Sequence, residues 1–139
     1  MDYEQFKIKH FNLWDLYLHD NQFPYIGRCY ASAIRPDADL VTDMKSEEAY
    51  ELFSVVVPSW HKAISELFGK SRPNVAILGN EWPHLHAHLI PRFKEPKHHY
   101  GIEFIDPNPT GNYTPYQKID FSLEILLKIK EDIKTIFAL

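Results

Sequence analysis

The sequence predicts an α+β protein, an antiparallel sheet with helices packed on one face. Three observations predict it. Leu13 to Leu18 and Tyr25 to Ile34 are rich in aromatic and aliphatic residues and flank the turn-rich Asp20-Asn21-Gln22-Phe23-Pro24, so they read as a hairpin. Residues 46 to 69 carry apolar side chains at the three-and-four spacing of a helix. Val75 to Leu78 and His84 to Ile90 read as strands joined only by Gly79 to Pro83, which implies a second antiparallel hairpin. The 139 residues suffice for one core and not for two ordinary domains. A single domain over 1–139 is expected. Its core spans about residues 12–92, followed by an irregular segment 93–119 and a C-terminal helix 120–138.

Each element has its local reason. Arg35 to Lys45 is polar and reads as irregular. Ser46 is the expected helix N-cap, with Glu47 and Glu48 placed well for the helix dipole. Ala49, Leu52, Phe53, Val56, Trp60, Ala63, Ile64 and Leu67 form the expected buried stripe, and Gly69 ends the helix. Pro58 falls inside the run, so a kink or a split into two helices is expected there. Lys94 to Gln117 is rich in proline and poor in aliphatics, with a short strand expected at Ile102 to Ile105. It reads equally as a lid, a dimer arm or surface covering. Asp120 to Phe137 returns to helical spacing through Leu126, Ile129, Ile133 and Ile136.

Composition restricts the function classes. Hydrophobic residues make up 45% and charged residues 24%, as in an ordinary soluble domain. The net charge of −4 argues against a nucleic-acid partner and requires any attraction for phosphates to be local. Cys29 is alone, so no disulfide forms within the chain. The start, Met1 to Gln5, lacks a signal-peptide pattern, and no run approaches a membrane span. No membrane partner and a cytoplasmic location are therefore expected.

Residues 84 to 92, His84-Leu85-His86-Ala87-His88-Leu89-Ile90-Pro91-Arg92, carry the chemistry. Strand geometry puts alternate side chains on one face. His84, His86 and His88 then line an open face, while Leu85, Ala87 and Leu89 are buried. A solvated polar face that happens to be histidine is the bland reading. A metal is the sharper rival, since His is the commonest ligand. However, rings two apart on a strand are separated by about 6.5 Å, and the outer two by about 13 Å, whereas zinc draws its ligands in to about 2 Å. A row of rings suits an extended anionic substrate better, and no metal site is assigned.

This His-x-His-x-His run followed by apolar residues resembles the signature of the histidine triad (HIT) family of nucleotide hydrolases and transferases. Through Pro91 and Arg92 it is similar to the nucleoside phosphoramidase and diadenosine polyphosphate hydrolase branches. The resemblance implies a HIT-like antiparallel sheet with helices on one face and a homodimer whose sheets join edge to edge. It also implies a chemistry: His86 attacks the α-phosphorus of a nucleotide, forming a nucleotidyl-histidine that water then hydrolyses. A backbone carbonyl near the first triad residue would fix the tautomer, and His84 and His88 would donate to phosphate oxygens. Histidines that stay partly protonated would serve that role best.

Other positions carry over less fully. Asn80 stands where the family has Gln and would donate to phosphate; Glu81 stands where a hydroxyl is usual. Asp20 and Arg28 lie eight apart, as do a ribose-binding aspartate and a phosphate-proximal histidine in the family, with Arg28 in place of the histidine. Turn residue and surface charge are the bland readings for these two. Arg35-Pro36-Asp37 replaces a basic segment of the family that ends in histidine. His10, His19, His61 and the pair His98-His99 read as ordinary surface or core histidines. Trp82 flanks the triad. The implied activity is hydrolysis or nucleotidyl transfer on a nucleoside phosphoramidate or dinucleoside polyphosphate, the nucleotide being an adenine nucleotide. The alternatives are a catalytically weak nucleotide-binding or scaffolding protein, and a metal-dependent hydrolase. No cofactor is required; a divalent cation is compatible with a polyphosphate substrate.

Overall fold

Five antiparallel strands form the main sheet of the computed structural model, which describes residues 2–139. They are β1 (Lys7–His10), β2 (Trp14–Leu18), β3 (Cys29–Ala33), β4 (Arg72–Ala76) and β5 (His86–Arg92), in the order β1-β2-β3-β5-β4. Trp14, Leu16 and Leu18 of β2, Cys29, Ala31 and Ala33 of β3, and Ala87 and Leu89 of β5 all belong to one buried cluster. The register places Tyr17, Tyr30 and His88 side by side on the opposite face, and likewise Asp15, Ser32 and His86. Period-two alternation thus separates a core face from a face available for chemistry.

The helices cover the core face only. α1 (Ser46–Glu51) runs through a π-helical turn at Leu52–Val56 into α2 (Val57–Phe68). The split expected at Pro58 takes this form. Proline has no N–H and collides with the carbonyl four residues back, and one wide turn before it relieves both problems. The N–H of Val57 reaches back to the carbonyl of Leu52. That extra residue rotates the stripe: Glu48, Glu51, Leu52, Val56, Trp60, Ala63, Ile64 and Phe68 are buried, and Phe53, expected inside, is exposed. Ser46 is the first helical residue and not the cap. Lys45 occupies the cap position, and its N–H donates to the Glu48 carboxylate at 2.8 Å. Glu48 also accepts from Arg35, and Glu51 accepts from the Leu13 N–H at 2.7 Å. These buried carboxylates tie the helix to the residues just before β2 and just after β3. α3 (Leu123–Phe137) begins at Ser122, whose hydroxyl accepts from the Ile125 N–H. It packs Leu126, Ile129 and Ile133 into the same core.

Strand bounds moved in ways the chain explains. β1, preceded by a short helical turn at Tyr3–Phe6, was not expected from the sequence. β3 starts later than Tyr25 because Gly27, with φ of +94°, turns the chain before it. β4 starts earlier than Val75 and contains Pro73, which is tolerated because β4 is an edge. β5 starts two residues after His84 and runs on through Pro91, which faces Pro73 beyond the end of β3. A separate hairpin, β6 (Lys97–His99) and β7 (Ile102–Phe104), turns through Tyr100 and Gly101, both with positive φ. Asp106 to Asp120 has no regular structure, and its later part, from Tyr113, lies over the face of the sheet opposite the helices. Among the described residues, no helix is long and apolar enough to cross a membrane.

Candidate active site

One cavity of about 1170 Å³ opens on that face. Strands β3 and β5 form its floor with Tyr30, Ser32, His86 and His88. The β2–β3 connection supplies His19, Asp20, Asn21 and Arg28, and the β4–β5 connection supplies Asn80, Glu81 and Trp82. The far wall comes from Tyr113, Thr114, Tyr116 and Lys118. Folding thus brings Asp20, Arg28, Asn80, His86 and His88 to one cavity. His84 does not line it. Its position precedes β5, and its Nε2 is engaged with the carbonyl of Ala33 at 2.7 Å. Of the three histidines in the run, two line the cavity.

The two rings sit 4.9 Å apart by centroid and meet edge to face. His86 is 6% exposed, and its Nδ1 lies 2.5 Å from the carbonyl of His84. A carbonyl can only accept, so this contact places the proton on Nδ1 and leaves Nε2 with its lone pair. Trp82 tilts between His84 and His86, with centroids at 5.2 and 4.6 Å. The indole therefore backs the His86 ring. It also touches Tyr30 edge to face, and Tyr30 stacks on Tyr17 at 5.1 Å.

His88 is pushed down to about 4 by burial, and then by Arg28 and His86. It is neutral at neutral pH, which corrects the expectation of a partly protonated clamp. A charged histidine here has lost its water and faces a guanidinium. Its Nδ1 is buried without a partner. His19, read from the sequence as ordinary, lies beside it at 5.6 Å. Burial and then the neighbouring Arg28, His88 and Lys118 depress His19 to about 2. Its Nδ1 accepts from the Asn21 N–H at 3.0 Å. The 3.5 Å approach of Asp20 to that nitrogen is therefore a meeting of two acceptors and not an ion pair.

Arg28 is 4% exposed. Its Nη1 donates to the Tyr116 hydroxyl at 2.6 Å, and its Nε has no partner. Tyr116 and Lys118 carried no signal beyond an aromatic-and-basic spacing in a proline-rich stretch. Only the folded chain shows that they reach Arg28 and His19. Arg92, part of the triad-like run, faces away from the cavity chemistry. It is buried and paired with Asp106 at 2.6 Å, and it also donates to the carbonyls of Asn108 and Gly111. Arg35 is likewise structural, bonded to Glu48. Among the described residues, no group of three or more His, Cys, Asp or Glu side chains is placed to hold a metal ion.

No family model and no curated protein matches the chain by sequence. Solved structures do match it. A histidine triad protein of Marinobacter aquaeolei superposes with a TM-score of 0.70 at 21% identity, covering 99% of this chain and 96% of that one. Histidine triad proteins of Bradyrhizobium japonicum and Sinorhizobium meliloti each give a TM-score of 0.68, at 19% and 18% identity, covering 93% of this chain and 87% of theirs. In architecture, then, the chain is an α+β protein with the histidine triad fold.

Proposed function

We propose that this protein is a nucleotide hydrolase or nucleotidyl transferase. It cleaves at the α-phosphate of a nucleoside phosphoramidate or dinucleoside polyphosphate through a nucleotidyl intermediate on His86. The observation that carries this reading is the contact between His86 Nδ1 and the His84 carbonyl. It turns a fixed, unprotonated Nε2 toward the cavity, which is what displacement at phosphorus requires. His84 contributes through its main chain, and its ring braces β3. Arg28 and His88 lie where phosphate oxygens would be held as charge develops on them. Asn80 adds an amide donor, and Asp20 is the acceptor for ribose hydroxyls. The aromatic set Tyr17, Tyr30 and Trp82 offers apolar surface to the base, taken as adenine. A second copy would join along β4, the edge strand not flanked by α3.

The test is substitution of His86 combined with trapping. His86→Ala is expected to fold and to lose turnover by at least about a thousandfold, the scale of a removed nucleophile. Rapid acid-free quenching of the wild type should show one nucleotidyl mass on the peptide containing His86. Retained turnover in the variant removes His86 from the role. Nucleotide binding with no adduct and no turnover in the wild type would instead favour a binding protein.

A further inference from the structure

Two arginines of this chain are buried, Arg28 and Arg92, and Arg92 has a carboxylate partner in Asp106, as the half-buried Arg35 has in Glu48. Arg28 has none among the described residues, although it is 4% exposed. A buried cation without a counter-ion is costly, and a chain that keeps one normally reserves it for an anion. What holds Arg28 in place is aromatic. Its guanidinium carbon lies 5.6 Å from the centre of the Tyr113 ring and 5.7 Å from that of Tyr116. The Tyr116 hydroxyl accepts from Arg28 Nη1 at 2.6 Å and from Asn21 Nδ2 at 3.1 Å. Both lone pairs of that oxygen are then used, and its proton remains to be donated. Arg28 Nε and His88 Nδ1 also lack partners. Of the three buried side-chain polar atoms without a partner among the described residues, these two belong to residues lining the cavity, and the third, Ser71 Oγ, lies apart beside β4.

We propose that Tyr116 is a positioning residue for phosphate recognition. It fixes the Arg28 guanidinium for a phosphoryl group of the ligand, so the 113–118 segment is a working wall of the site and not a surface covering. Lys118, on the same segment, brings a second positive charge to the cavity. The inference rests on the nucleotide reading above and extends it to a residue outside the triad. It predicts that Tyr116 matters only for ligands that carry a phosphate, and only while Arg28 is present.

The experiment measures binding of adenosine 5′-monophosphate and of adenosine by calorimetry, using the full chain. Tyr116→Phe is expected to weaken binding of the monophosphate about tenfold, equivalent to about 1.4 kcal/mol, and to leave adenosine unchanged. In an Arg28→Gln background the same substitution is expected to change neither. Asn21→Ala withdraws the other hydrogen bond to the hydroxyl. It should act in the same direction, more weakly, and again only with Arg28 present. Equal losses for both ligands, or a loss that persists without Arg28, would reduce Tyr116 to a packing residue and overturn the inference alone. Failure of the wild type to bind either ligand would overturn it together with the nucleotide reading.

Discussion

Gly27 shows how much of the site depends on single atoms. Its φ of +94° lies where only glycine is comfortable, and a Cβ built there would stand 2.7 Å from Ile64 Cδ1. Its N–H donates to Gln22 Oε1, and its carbonyl accepts from Trp60 Nε1. The next residue is Arg28. Gly27→Ala is therefore expected to destabilise the fold by about 2 kcal/mol, from backbone strain and overpacking together. Urea titration would read the loss; an unchanged midpoint would show that helix α2 yields freely. At this scale the family resemblance pointed to Asp20, Arg28, Asn80, His86 and His88, and folding brings these five to one cavity. The resemblance did not point to His19. A single histidine beside an aspartate is common, and its place against His88 depends on the pairing of β3 with β5. His84 was misplaced because alternation alone does not say where a strand begins.

The segment from Asp106 to Asp120 is the element on which the cavity depends most. It is tied at one end by Arg92, whose guanidinium holds Asp106, Asn108 and Gly111. In the middle the Tyr25 hydroxyl donates to the carbonyl of Tyr113 at 2.6 Å. Asp106→Asn leaves Arg92 buried without its charge partner, and a stability loss of about 3–5 kcal/mol is expected. Hydrogen exchange should quicken over residues 107–118, and affinity for a nucleoside monophosphate should fall with it. Protection that stays native there would show that aromatic packing alone holds the segment. Sequence patterning left this stretch open among a lid, an arm and a covering, because it has no periodicity and its anchors come from elsewhere in the chain. The α1–α2 run was legible from its spacing, including the break at Pro58. The face it presents was shifted at Phe53, since the wide turn before the proline changes the phase of all that precedes it.

Across the whole molecule, two histidines kept neutral inside a cavity make stability depend on pH. His19 and His88 both bind protons more weakly when folded than their ordinary value of 6.5, chiefly through burial. Arg28 and Lys118 face His19, and Arg28 faces His88, so cations add to that effect. The unfolded chain therefore takes up protons that the folded chain refuses as pH drops below 6.5. Stability contributed by these neutral rings is whole above that point and declines as pH falls toward about 4 for His88 and about 2 for His19. Urea unfolding between pH 6.5 and 5 should show this slope, flattened in a His19→Gln, His88→Asn double variant. A slope identical in both proteins would mean that other groups carry it. The overall α+β architecture was legible early, because apolar alternation and helical spacing are long-range consequences of burying one side of each element. The extra edge strand β1 was not, since Lys7-Ile8-Lys9-His10 has one buried residue in four.

Of the three tryptophans, Trp14 and Trp60 are 0% exposed and bonded to backbone carbonyls, whereas Trp82 is 45% exposed and lies against the His86 ring. The molecule thereby contains its own optical gauge. An aqueous quencher such as iodide should extinguish one indole's emission and spare the other two. Arrival of a guest beside His86 should shield that emitter, so occupancy can be followed in the unlabelled native chain.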